Sequence, residues 1–382
     1  MKISSDRAGS LITIDEEVNA FKPDPLPPSD LELKSDIVML LSEADVSIGR
    51  LDSLSDLLPN PDLFVMMYIK KEAVWSSQIE GTQASLMDVL EFEAEALRPD
   101  APRDVKEVVN YIRALDKGLE LIKNGRDLDL ELIKKLHSIL MKDSRGGSLD
   151  PGRFRNIQNW IGPPGCGIKE AMFIPPPPGE MMKSLKDLEE FMTGNSRLPP
   201  LVKAALIHVQ FETIHPFIDG NGRIGRLLII LSLVKDGHLR SPLLYLSHYL
   251  RRMRSTYYEK LQGVRERGHF EDWLRFFLVG TSEVAEEASE RARMILDLSK
   301  TTKDKVLEEL GKTGPKASQF IDDLLLHPVV GINEIAEMTD LSYQNANKLA
   351  SRLESIGVLR EVTGHKRNRV FEFKDYLDIL ND

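Results

Sequence analysis

The chain of 382 residues has one cysteine, Cys166. That excludes an intrachain disulfide framework and a cysteine-rich zinc module. It suits a reducing compartment, and the cytoplasm is the expected location. Long apolar runs are missing as well. The longest stretches, such as Leu227 to Leu231, fall far short of the ~20 residues that cross a bilayer, so no membrane partner is expected. The amino terminus, Met-Lys-Ile-Ser-Ser-Asp-Arg-Ala-Gly-Ser, has no apolar stretch of the kind a secretory signal carries. Nor is there an excess of positive charge: 50 Lys and Arg stand against 60 Asp and Glu, a net −10. Bulk coating of nucleic acid or anionic membrane is thereby excluded, while a local basic patch is not. What is present, 42% hydrophobic and 29% charged residues, is ordinary for a globular protein, and the length predicts two to three domains.

The pattern along the chain is mainly helical. Residues 1–29 show little periodicity and end in Lys22-Pro23-Asp24-Pro25-Leu26-Pro27-Pro28-Ser29, which reads as an extended arm. Helical patterning starts near Asp30, a suitable N-cap. Met67, Tyr68, Val74, Trp75 and Ile79 predict a helix near 62–81, stopped by Gly81. Further helices are expected over 82–97, 105–122, 128–141, 180–192 and 201–214. Between 151 and 178, glycines and prolines frame two strand-like pieces, 157–161 and 172–174, and predict a β-hairpin near 157–174. A charged helical segment, 281–314, is expected to link a core of residues 30–280 to a small domain of residues 315–382. That domain reads helix, helix-turn-helix, then two strands, the order of a winged helix.

One segment carries chemistry: His215-Pro216-Phe217-Ile218-Asp219-Gly220-Asn221-Gly222-Arg223-Ile224-Gly225-Arg226. An apolar helix delivers His215 at its end, and a glycine-rich loop opens a second apolar helix. Glycines at a helix start let backbone N–H groups approach an anion, which the helix dipole favours. Arg223 and Arg226, three residues apart, share a face of the first turn and suit phosphate oxygens. Asp219 offers a hard oxygen ligand for Mg²⁺. His215 is the group whose ordinary pKa suits proton removal near neutrality. Together these residues point to phosphoryl or nucleotidyl transfer.

The segment resembles the Fic family signature, His-x-Phe-x-Asp/Glu-Gly-Asn-Gly-Arg-x-x-Arg, at all eight defined positions. The resemblance covers roughly residues 30–280 and implies a mainly α Fic-type helical core with a β-hairpin flap. It further implies a protein adenylyltransferase that passes AMP from ATP to a Ser, Thr or Tyr hydroxyl. By matching position, His215 is then the general base and Asp219 holds Mg²⁺ against the α- and β-phosphates. Asn221 and the Gly220 and Gly222 backbone form the anion nest. Arg223 contacts phosphates, Arg226 pairs with the γ-phosphate, and Gly225 belongs to the ATP site. Tyr257, next to Tyr258, is expected to line the nucleoside pocket. The flap would align a protein substrate, the chain itself included, by β-augmentation.

Trp75-Ser76-Ser77-Gln78-Ile79-Glu80-Gly81 fits the family's inhibitory motif, Ser/Thr-x-x-x-Glu-Gly/Asn, at its three defined positions. Ser76 and Glu80 are i and i+4 and share a helix face. Glu80 paired with Arg226 would occupy the fork that should bind the γ-phosphate, with Ser76 and Gly81 completing the motif. Two rival readings remain from the sequence: a de-AMPylating enzyme that uses Glu80, and a transcriptional regulator with a nucleotide-sensing core. In the carboxy-terminal segment, Gln344, Asn345, Lys348 and Arg352 suit a major groove, and His365, Lys366, Arg367 and Arg369 sit in the wing. From Pro315 to Asp382, however, eight Lys and Arg face eleven Asp and Glu, whereas DNA-binding domains usually lean positive. DNA and a docked protein, or a second copy in a homodimer, all remain as partners.

Overall fold

The computed structural model describes residues 4–15, 18–55, 61–94, 102–142, 150–163, 165–364 and 369–381. In chain order, a hairpin of β1 (Gly9–Asp15) and β2 (Val18–Pro23) precedes helices α1 (Ser35–Ser55), α2 (Pro61–Ile79), α3 (Leu86–Ala94), α4 (Arg103–Lys123) and α5 (Leu130–Leu140). Then come α6 (Pro178–Thr193), α7 (Pro200–Ile214), α8 (Asn221–Lys235), α9 (Ser247–Arg252), α10 (Arg254–Arg267) and α11 (Phe270–Leu310). The carboxy-terminal elements are α12 (Gly314–Leu326), β3 (Val329–Gly331), α13 (Ile332–Thr339), α14 (Tyr343–Ser355), β4 (Arg360–Glu361), β5 (Val370–Glu372) and α15 (Lys374–Asn381). No described helix is long and apolar enough to cross a membrane.

The core is built around the antiparallel pair α7 and α8. Every residue from Leu201 to Ile214 is buried, as are Ile224 to Leu233. A helix apolar on all sides has to be surrounded by others, and α2, α4 and α5 pack against α8 while α6, α10 and α11 pack against α7. Prolines at the starts of α6 and α7 suit first-turn positions, whose N–H groups lack helical partners in any case.

Three expectations change. Residues 1–29 are not an extended arm: β1 and β2 pair antiparallel, and Phe21 is buried with its N–H donating to Ile174 O at 2.8 Å. β1 is mostly exposed, so it carries no alternating signal. Gly9 permits the pairing, because a Cβ there would overlap the Lys22 carbonyl. Asp30 does not start a helix; it pairs with Arg7 Nε at 2.8 Å, and α1 begins at Ser35. Residues 281–314 are not a separate linker either. α11 runs unbroken through 41 residues, and buried Val284, Ala285, Ala288, Ala292 and Ile295 form a stripe along it, with α1 packed against the helix. Those small residues lie beneath a charged outer face that dominates the sequence pattern.

In the carboxy-terminal segment, α13 and α14 are joined by a turn at Asp340 (φ +48°), and Ser342 Oγ caps α14. The three-stranded sheet has order β3-β5-β4, with β3 and α15 added to the elements read from the sequence. This segment packs on α11, and α12 also touches α2. His365, Lys366 and Arg367 lie outside the described residues.

Candidate active site

The loop between α7 and α8 holds the signature segment. His215 caps α7 in the left-handed region (φ +49°), and Pro216 prevents the helix from continuing. Asn221 then staples the loop: its Oδ1 accepts from Phe217 N and its Nδ2 donates to Phe217 O, both at 2.8 Å. Asn221 therefore shapes the loop with its side chain and does not offer that amide to an anion. Gly220 (φ +79°) is the N-cap of α8 and supplies no side-chain cap, so the first N–H groups of that helix remain for an anionic partner.

That place is occupied by Glu80. α2 ends in a Schellman-type turn in which Gly81 N donates to Gln78 O at 3.1 Å and Thr82 N to Ser77 O at 3.2 Å, with Gly81 at φ +96°. The turn leaves Glu80 facing α8. Arg226 Nη2 donates to Glu80 Oε1 at 2.8 Å, Arg226 Nε to Ser76 Oγ at 2.8 Å, and Nη2 to the Ser76 carbonyl at 2.8 Å. A Cβ on Gly222 would overlap Glu80 Oε1, so the carboxylate rests on the Gly222 backbone. Ser76 is fully buried beneath Arg226, and the Arg226 side chain is itself 1% exposed, against 36% for Glu80. Burial opposes the charge of Glu80, but Arg226, then Arg223, hold its carboxyl below the ordinary value. Burial likewise works against Arg226, yet Glu80 keeps it above its usual value.

Arg223 is buried and turns to Glu107 of α4 (Nη1 to Oε2, 3.3 Å), with Asp219 Oδ1 3.7 Å from its Nη2. Asp219 is half-exposed, and its Oδ1 accepts from Gly220 N at 2.6 Å. Among the described residues no group of three or more His, Cys, Asp or Glu is placed to hold a metal. A lone accessible carboxylate beside an anion site still fits Mg²⁺, which is commonly held by one or two carboxylates plus substrate phosphates. Gly225 lies away from the loop: a Cβ there would come within 2.5 Å of Glu212 Oε1 and 3.3 Å of the His208 ring. It makes room in the core instead of contacting phosphate. Tyr257 is 1% exposed, with its hydroxyl 2.8 Å from His208 Nε2, so it packs in the core; the exposed member of the pair is Tyr258.

His215 has a side chain 18% exposed, but its Nδ1 is buried and without a hydrogen-bond partner among the described residues. Burial, followed by Arg265 and Arg155, draws its pKa down to about 3, so the imidazole is neutral near pH 7. Several residues that support this loop carry no sequence signal. His137 accepts from Gly152 N at Nδ1 (2.9 Å), which leaves Nε2 to donate to the Asp219 carbonyl (3.0 Å), and its ring stacks on Phe217 at 3.6 Å. Burial holds it at about 4, and therefore neutral. Arg155 donates to the carbonyls of His215 (3.0 Å) and Pro176 (2.6 Å), and Asn159 to those of Phe217 (3.1 Å) and His215 (3.3 Å).

Asn159 belongs to the expected flap, and Arg155 lies just before it. It is not a full hairpin: Ile161 and Phe173 form an isolated antiparallel bridge, with a 3₁₀ turn at Ile168–Glu170 between them. Between the two pieces, residues 162–167 bring three glycines and two prolines, which disfavour continued strand pairing. Pro164 lies outside the described residues.

A helix–loop–helix that sets a neutral histidine, an accessible carboxylate and an uncapped glycine-rich helix start side by side defines an anion-handling helical protein. The chain belongs to the Fic/DOC family. The family's N-terminal model matches residues 38–120 and its Fic model residues 127–233. A probable protein adenylyltransferase of Aquifex aeolicus is 28% identical over 178 residues, covering 46% of this chain and 51% of that one. The protein adenylyltransferase Fic of Drosophila willistoni is 31% identical over 176 residues, 44% of this chain and 31% of that one. The chain thus spans about half the length of the first relative and under a third of the second. A Fic family protein of Desulfovibrio desulfuricans G20 has the same fold, with TM-score 0.59 at 21% identity over 90% of this chain and 97% of that one.

Proposed function

We propose that this chain is a protein adenylyltransferase, moving AMP from ATP to a Ser, Thr or Tyr hydroxyl of a protein, its own included, and that Glu80 restrains it. The observation that carries the reading is the Glu80 carboxylate lying on the Gly222 backbone and the Arg226 guanidinium, with His215 and Asp219 on the same loop. A carboxylate marks where an anion is favoured, and a triphosphate is the richer anion. In the transfer, the substrate hydroxyl oxygen attacks the α-phosphorus, the bond to the bridging oxygen breaks, and pyrophosphate leaves. The hydroxyl proton passes to His215 Nε2, which a neutral ring can accept. Mg²⁺, held by Asp219, would supply charge neutralisation between neighbouring phosphates. With Glu80 in the fork, Arg226 is denied to the γ-phosphate and ATP is misaligned for in-line attack.

Residues 157–174 serve as the docking edge for the target main chain. In support, Ile157, Trp160 and Met172 are exposed there while Arg155 and Asn159 tie the segment to the His215 loop. The carboxy-terminal segment is read as a winged helix that docks protein in preference to DNA. Arg352 is engaged by Thr313 Oγ1 at 2.8 Å, Arg369 by Glu354 at 2.7 Å, and Arg360 by Glu372, so these cations are neutralised within the chain or tied to it. Replacing His215 by alanine tests the assignment: label transfer from ATP should vanish while nucleotide binding, read by calorimetry, stays within a few-fold. Equal loss of both would make the histidine structural.

A further inference from the structure

Glu212 lies one turn before His215, at the buried end of α7, and nothing above uses it. It is 6% exposed. Its Oε2 is 3.9 Å from His215 Nδ1, too far for a hydrogen bond, yet Glu212 Oε1 and His215 Nδ1 are both buried and have no hydrogen-bond partner among the described residues. A buried carboxylate oxygen and a buried imidazole nitrogen without partners, on side chains that approach to 3.9 Å, are a costly arrangement unless they meet during function, although Oε1 itself lies toward Gly225 and His208, whose Nδ1 is likewise without a partner. The carboxylate also has a made space. Gly225 of α8 lacks the Cβ that would come within 2.5 Å of Glu212 Oε1.

We infer that Glu212 is a positioning residue that takes the Nδ1 proton of His215 in a hydrogen bond, leaving Nε2 as the basic nitrogen aimed at the substrate hydroxyl. An imidazole that accepts a proton at Nε2 becomes an imidazolium donating from Nδ1, and a carboxylate there stabilises it, so the tautomer and the developing charge are served by one contact. No atom or electron is left over, since the hydroxyl proton ends on Nε2 and the Nδ1 proton stays where it was. The groups facing Glu212 are His208 and His215 on its own helix, Arg226 on α8, Tyr257 and Arg265 on α10, and Glu80 at the end of α2. Burial pushes the Glu212 carboxyl up to about 7, against the pull of Arg226. Ionised Glu212 therefore grows in as pH rises through neutrality, and the wild-type rate should rise with it.

This inference rests on the transferase reading, so the parent for kinetics is the Glu80→Gly chain. If that parent transfers no label, the transferase reading fails, and the tautomer measurement below decides the inference alone. If the parent is active, Glu212→Gln should lower kcat roughly tenfold or more and leave KM for ATP within about twofold. It should also flatten the rise in rate with pH, which without the Glu80 charge sets in lower than in the wild type, and which a residue that merely packs would not do. An unchanged kcat and pH profile would overturn the inference. Independently of activity, long-range proton–nitrogen correlation spectra of the wild-type imidazoles, with the His215 signal assigned from its loss in His215→Ala, report the tautomer. A proton on Nδ1 supports the inference; a proton on Nε2 overturns it.

Discussion

Replacing Glu80 by glycine removes one carboxylate from the Arg226 fork and leaves Ser76 Oγ and the Ser76 carbonyl to hold the guanidinium in place. The pair it breaks is 2.8 Å long, between a side chain 1% exposed and one 36% exposed. Unit charges about 4 Å apart at an effective dielectric constant of ~20 interact by about 4 kcal/mol. Solvent at Glu80 and the lost hydration of Arg226 reduce this to about 1–2 kcal/mol. If Glu80 must leave before the γ-phosphate reaches Arg226, release accelerates transfer by roughly 5- to 30-fold. Folding should survive, because Glu80 follows the last residue of α2 and precedes Gly81. The assay is the initial rate of protein labelling from α-labelled ATP, with wild type, Glu80→Gly and Glu80→Gly with Arg226→Ala compared. The double variant should lose the gain, since both changes act on one fork. Because Arg226 and Arg223 overcome burial and hold the Glu80 carboxyl low, its contribution is complete above the ordinary carboxylate range and is lost only as pH falls through the lower folded value. A rate unchanged or lowered by Glu80→Gly refutes the brake. If a pre-AMPylated protein also keeps its label with that variant and loses it with wild type, Glu80 serves removal of AMP instead.

Other consequences follow from the same geometry. Asp219→Ala should abolish transfer even at high Mg²⁺, and excess chelator should stop the wild type; full activity in chelator would remove the metal role. Asn221→Ala deletes both bonds that close the 217–221 loop and should cost about 1–3 kcal/mol in urea unfolding, because Phe217 N loses its partner while the Phe217 carbonyl keeps only Asn159. The carboxy-terminal segment should not retain genomic DNA fragments on filters at physiological salt, and retention that falls steeply with added salt would contradict the protein-docking reading.

The helices α7 and α8 and the loop between them were legible because two strongly apolar runs there are separated by Pro216 and Gly220. Ser76 and Glu80 were legible through their i, i+4 spacing ahead of Gly81. The roles of Asn221, Arg223 and Gly225 were not: each is set by a partner that only the fold supplies, namely the Phe217 backbone, Glu107 of α4 and Glu212 of α7. Tyr257 and Tyr258 are neighbours in sequence but point to different environments, which a weak helical period does not separate. His137 and Arg155 hold the loop through its carbonyls, across 82 and 60 residues of chain, so no local pattern marks them. The β1–β2 hairpin leaves no mark in the sequence because most of β1 is exposed.

The most direct test of the central claim is to incubate Glu80→Gly with native lysate and, in parallel, with ATP labelled at the α- or the γ-phosphate. Above the label taken up by lysate alone, protein-bound label is expected from the α position only, with pyrophosphate released and no added label from the same chain carrying His215→Ala. Added label from the γ position, or none from either, would contradict that claim.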